Sequence, residues 1–155
     1  MVNKINHGKL FEDRLEEGLI MLSLPYTREG SKRNYGVRGS NKGKFDFWVN
    51  NKIAIECKSV ETSTNLRLPW PRVKTPKIAA HQLKALRAES EKGNIAGLLI
   101  EIRKINKLYW LDIRGLDDIV REFGMLPSLT VMALQKYGAE TEDLNELLEV
   151  LNKWS

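Results

Sequence analysis

Gly43-Lys44-Phe45-Asp46-Phe47-Trp48-Val49-Asn50-Asn51-Lys52-Ile53-Ala54-Ile55-Glu56-Cys57-Lys58-Ser59 is the stretch that decides the fold. Lys44 to Val49 and Ile53 to Lys58 are two short alternating or apolar runs. The Asn50-Asn51 pair between them tolerates positive φ, so the runs read as antiparallel strands of a tight hairpin. Side chains alternate along a strand, which puts Glu56 and Lys58 on one face and Ile55 and Cys57 on the other. With Asp46 on the facing strand, three charged groups converge. Two carboxylates on adjacent strands repel unless a cation lies between them, and a hard divalent ion such as Mg²⁺ takes carboxylate and water oxygens. A lysine beside such an ion can position the attacking water or stabilise charge that develops on a phosphate. The plainer alternative is that Glu56 and Lys58 decorate a solvent face and Asp46 is unrelated to them. An apolar strand interrupted by Glu-x-Lys, with basic loops on both sides, favours a phosphodiester-cleaving site.

Upstream, Phe11, Leu15, Leu19 and Leu22 recur at helical spacing, so an amphipathic helix is predicted over Gly8 to Leu22, capped by Asn6 and closed by Pro25. Thr27 to Lys42 holds three glycines and five basic residues and reads as a mobile basic loop. Downstream, Thr62 to Lys74 reads as loop, and Thr75-Pro76 opens a helix running through Ile78, Leu83 and Leu86 to Gly93. Ile95 to Ile102 has the apolar continuity of a buried central strand, with Lys107 to Ile113 as its hairpin partner. The last third reads as helices at Leu116 to Phe123, Leu129 to Tyr137 and Thr141 to Trp154, the last capped by Thr141. This order is that of an α/β or α+β domain with a mixed sheet.

The length of 155 residues, 42% of them hydrophobic, suits one domain, residues 1–155, with a real core. No apolar run reaches the roughly 20 residues of a membrane span, and the start lacks a secretory core, so a soluble, cytoplasmic protein is expected. One cysteine and two histidines exclude an internal disulfide and disfavour a structural zinc site. The net charge of +5 is unevenly spread: Arg28 to Lys77 carries twelve Lys or Arg against four acids, 12 − 4 = +8, which leaves 5 − 8 = −3 elsewhere. A concentrated basic segment attracts a polyanion, nucleic acid being the usual one, or else solubilises a face. Arg28, Lys32, Arg33, Arg38, Lys42, Lys44, Arg67, Arg72 and Lys74 are its candidate DNA-binding residues.

The Asp followed by Glu-x-Lys resembles the PD-(D/E)xK nuclease superfamily over about Leu10 to Ile113. The chain is most similar to the RecU-type Holliday junction resolvases. A proline-containing loop follows Glu-x-Lys, then His81-Gln82-Leu83 on a helix, then Gly93-Asn94-Ile95-Ala96-Gly97-Leu98-Leu99-Ile100 as a strand. The resemblance implies a restriction-endonuclease-like α/β core with a central mixed sheet. It implies Mg²⁺, or Mn²⁺ in its place, at Asp46, Glu56 and Gln82, with Lys58 assisting catalysis. A homodimer that nicks four-way DNA junctions symmetrically during recombination is implied as well. Glu12, on the first helix, matches the place where related resolvases keep a glutamate facing the active site; a solvated helix glutamate is the alternative. Two departures stand out. Lys44 occupies a position commonly threonine in that family, and the family's protruding stalk is replaced by the glycine-rich basic loop.

Other residues read more plainly. His81 suits a surface or packing position better than a proton carrier. Trp70, between Pro69 and Pro71, either stacks on an unpaired base or covers the core. Trp48, Trp110 and Trp154 suit core or dimer packing, and Cys57 a small buried hydrophobe. The sequence thus leads to a junction-resolving, metal-dependent endonuclease. A restriction-like duplex endonuclease of the same superfamily and a non-catalytic DNA-binding module are the alternatives.

Overall fold

A computed structural model describes residues 4–29 and 44–154. Helix α1, His7–Met21, starts where Asn6 accepts a hydrogen bond from Lys9 N–H at 3.0 Å, and buries Phe11, Leu15 and Leu19. Strand β1, Tyr26–Arg28, pairs antiparallel with β2, Phe47–Val49. The hairpin to β3, Ile53–Val60, turns on Asn50 and Asn51, whose φ angles of 52° and 57° are the positive values expected of this pair in a tight turn. Helix α2, Ala80–Glu91, crosses to β4, Ile95–Ile102, which lies parallel to β3. Strand β5, Lys107–Asp112, returns antiparallel to β4, and β6, Ala139–Thr141, pairs antiparallel with β5. Helices α3, Ile113–Phe123, α4, Val131–Tyr137, and α5, Leu144–Lys153, complete the chain.

The result is an α/β architecture with a six-stranded mixed sheet in the order β1-β2-β3-β4-β5-β6. Each face of the sheet has its own apolar core, because each strand alternates its side chains between faces. Ala54, Val60, Leu98 and Ile100 pack under α2, α3 and α4, with Leu83, Leu86, Leu116 and Leu134. Ile53, Ile55, Cys57 and Leu99 pack under α1 and α5, with Phe11, Leu15, Leu147 and Leu151. Among the described residues, no helix is long and apolar enough to cross a membrane.

Several sequence expectations are corrected. Thr27 and Arg28 belong to β1 rather than to a basic loop; the other residues of that loop from Gly30 to Lys42 lie outside the described ones. Helix α2 begins at Ala80, not at Thr75-Pro76. Thr75 adopts a φ of 49°, and the N–H groups of Lys77 and Ile78 both donate to Arg67 O, which ties this segment to the preceding loop. Ile78 is fully buried all the same, as a loop residue. The cap of α5 is Asp143, whose carboxylate accepts from Asn145 and Glu146, while Thr141 ends β6. Trp110 is core, whereas Trp154 is 55% exposed.

Candidate active site

The register between β2 and β3 ends at Phe47 opposite Ile55, and beyond it no described strand covers that edge of β3. Continued pairing would bring Phe45 opposite Cys57. The chain instead bends away at Asp46, and the Asp46 carboxylate takes the place of the missing strand: Cys57 N–H donates to its Oδ2 at 2.8 Å. A side chain thus caps a backbone donor that would otherwise be orphaned. It also fixes Asp46 beside Glu56, the residue preceding Cys57.

Glu56 is 3% exposed, on the face of β3 that also carries Lys58. Lys58 Nζ lies 3.6 Å from Glu56 Oε1. Helix α2 contributes Gln82, whose Nε2 donates to Glu56 Oε1 at 2.7 Å and whose Oε1 accepts from Lys58 Nζ at 3.0 Å and from Ala79 N–H at 2.9 Å. One amide therefore braces both charged residues and closes the first turn of its own helix. Its oxygen is committed to Lys58 and Ala79. In this arrangement Gln82 positions Glu56 rather than presenting an oxygen to an ion.

Burial, and then the Asp46 carboxylate, push the Glu56 carboxyl up to about 8; Lys58 opposes the rise. Asp46 is raised as well, chiefly by burial, and the two carboxyls lie within hydrogen-bond reach of each other. Without a cation the pair holds a proton, because a buried carboxylate and a half-buried one beside it cannot both ionise cheaply. Glu12 on α1 is half-buried, and its carboxyl is raised first by burial and then by Asp46. Four of the sequence candidates, Asp46, Glu56, Lys58 and Gln82, are thus brought together, with Glu12 in electrostatic contact.

Arg28 behaves differently from the basic-segment expectation. Its guanidinium donates to Asp13 Oδ1 at 2.8 Å and to Glu16 Oε1 at 3.1 Å, and stands 3.9 Å from Glu12. It neutralises the acidic face of α1. Lys44, Arg72 and Lys74 are exposed, while Arg67 donates to Lys74 O at 2.8 Å. Lys32, Arg33, Arg38 and Lys42 lie outside the described residues. His81 is exposed, and Trp70 packs half-buried against the core.

Among the described residues, no group of three or more His, Cys, Asp and Glu side chains forms a ready cation cage. The fit to a divalent ion rests instead on the Asp46 and Glu56 pair. A buried and a half-buried carboxyl whose joint ionisation is opposed by their proximity match the one-or-two-carboxylate sites that Mg²⁺ takes. Comparison of the chain with protein-family models and with curated proteins finds no match.

Proposed function

We propose that the chain is a metal-dependent endonuclease of the PD-(D/E)xK kind, acting as a homodimer on four-way DNA junctions in the manner of RecU-type resolvases. The observation that carries the reading is the convergence of Asp46, Glu56, Lys58 and Gln82 from three elements at the open edge of β3. A structural salt bridge needs one acid and one base. This cluster has a surplus buried carboxyl, kept protonated up to about 8, which is the signature of a site shaped for more positive charge than the protein itself supplies.

Mg²⁺ or Mn²⁺, held by Asp46 and Glu56, would supply that charge against the phosphate oxygens and a means of acidifying water. Lys58, held by Gln82, directs its ammonium at the same spot, where it steadies the attacking water or the developing phosphorane charge. Glu12, on α1 and within electrostatic reach of Asp46 and Lys58, can take a proton. The order of Glu-x-Lys, proline-containing loop, Gln82 helix and Ile95 to Ile102 strand supports the RecU-type form of the reading. The excess of cations between Arg28 and Lys77 suits a polyanionic substrate.

The test is cleavage of an end-labelled four-way junction in Mg²⁺, beside a duplex of matching sequence and an Asp46→Asn control. Paired symmetric nicks, absent from duplex and lost in the control, establish a resolvase. Cleavage of duplex indicates a restriction-like enzyme instead, and tight binding without cleavage in Mg²⁺ or Mn²⁺ overturns the catalytic reading.

A further inference from the structure

Beyond the carboxylate pair, a cavity of about 520 Å³ opens at the C-terminal end of β3, walled by Lys4, His7, Gly8, Ser59, Lys77 and Arg103 among others. No acidic side chain lines it. Among the described residues, Lys4, Lys77 and Arg103 stand in no ion pair; Arg103 Nη1 donates to Ser59 Oγ at 2.9 Å. Ser59 in turn donates to Glu101 at 2.7 Å, and Glu101 is itself paired with Arg14, so that acid is already engaged. Three cations around one concavity with no acid in its walls favour an anion inside it.

Three parts of the chain that carry candidate-site residues, α1, β3 and the approach to α2, also supply walls of the cavity. On α1, Gly8 stands four residues before Glu12, on the same helix face and about 6 Å along the axis. On β3, Ser59 follows Lys58, with its side chain on the α1 face of the strand, where it donates to Glu101. Ahead of α2, Lys77 lies two residues before Ala79, whose N–H anchors Gln82. One helical turn is of the order of the interval between neighbouring phosphates of a nucleic-acid strand.

We propose that this cavity seats a second phosphate of the bound strand, next along the backbone from the one at Asp46 and Glu56, with Lys4, Lys77 and Arg103 as its counter-charges. The inference rests on the nucleic-acid reading above. A second seat would fix the direction in which the strand crosses the site, which a single phosphate contact leaves free to pivot.

The experiment measures binding of a fluorescent four-way junction in Ca²⁺ across a salt series, for wild type, Lys4→Gln with Lys77→Gln, and Arg103→Gln. Lys4 and Lys77 are exposed, so their double variant should keep the wild-type melting temperature even if Arg103→Gln disturbs Ser59. Loss of one phosphate contact should lower the slope of log affinity against log salt by about 0.9. A junction with one neutral methylphosphonate linkage at the adjacent position should weaken wild type and leave the double variant unaffected. An unchanged slope in folded variants overturns the seat, even where junction cleavage proceeds and the nuclease reading stands. A lowered slope in a protein that cleaves nothing sustains the seat and removes the nuclease. If inorganic phosphate shifts the His7 ring signals while DNA leaves them unmoved, the cavity belongs to the free anion and the inference fails.

Discussion

Replacing Glu56 by Gln removes a carboxyl that burial and Asp46 hold protonated up to about 8, and keeps its size and an acceptor for Gln82. The folded metal-free protein binds this proton, while the unfolded chain releases it above the ordinary value of 4.5. Unfolding therefore releases a proton between those limits, and stability falls as pH rises through the window, levelling off above about 8. At about 1.36 kcal/mol per pH unit, the full span corresponds to a penalty of the order of 5 kcal/mol on ionising Glu56 in the fold. Lys58 and the shared proton with Asp46 reduce what a single substitution recovers, so a difference of about 3 kcal/mol is expected. Urea unfolding in EDTA at pH 5, 6, 7 and 8 reads it directly. At pH 5 wild type and variant should agree within about 1 kcal/mol; by pH 8 the variant should be the more stable. Asp46 and Glu12 are raised too, so both proteins keep a shared slope and the divergence between them is the signal. Parallel curves from pH 5 to 8 would refute the argument, since Glu56 would then ionise in the fold as easily as in water.

Gln82→Ala removes the brace on Glu56 and Lys58; it should lower stability by about 1–3 kcal/mol and junction cleavage by roughly 10–100-fold, read by urea unfolding and single-turnover kinetics. Gly97→Ala should destabilise by about 3 kcal/mol, or roughly 6–12 °C in a melting curve for a chain of this size, because a Cβ there meets Leu111 O at 2.4 Å and the Trp110 ring at 2.8 Å. Arg28→Gln should cost about 1.5–3 kcal/mol by stripping α1 of its counter-charge. It should leave the salt slope of DNA binding unchanged; a fall of about 0.9 would return Arg28 to phosphate contact.

What was legible in the sequence was whatever depends on short-range periodicity. Ile95 to Ile102 is apolar but for Glu101 because β4 is covered on both faces, and its bounds agree with the structure. The Asn50-Asn51 turn and the Asn6 cap follow from local backbone chemistry and were equally readable. The strands β1 and β6 were not. Each has three residues, too few to show a period, and each exists because a neighbouring strand offers it an edge. The start of α2 differs from its local signal for a related reason: Pro76 is a fair first helical residue, but the hydrogen bonds to Arg67 O override that local preference. Arg28 was counted with the free cations because its three acids lie on α1, between twelve and sixteen residues earlier.

The candidate site lies where these two kinds of information meet. A fully paired hairpin would leave β3 no free edge at Cys57, and the Asp46 carboxylate would have no N–H to bind. The bend at Asp46 ends the pairing one residue before Glu56. Asp46 then does two things: it satisfies the exposed donor, and it brings a second carboxyl against a buried one. The same residue that stands in for the missing strand creates the charge conflict, so the structural defect and the chemistry have one cause. Asp46→Asn can still accept the Cys57 N–H through its carbonyl oxygen, and should therefore keep the bend while removing the conflict.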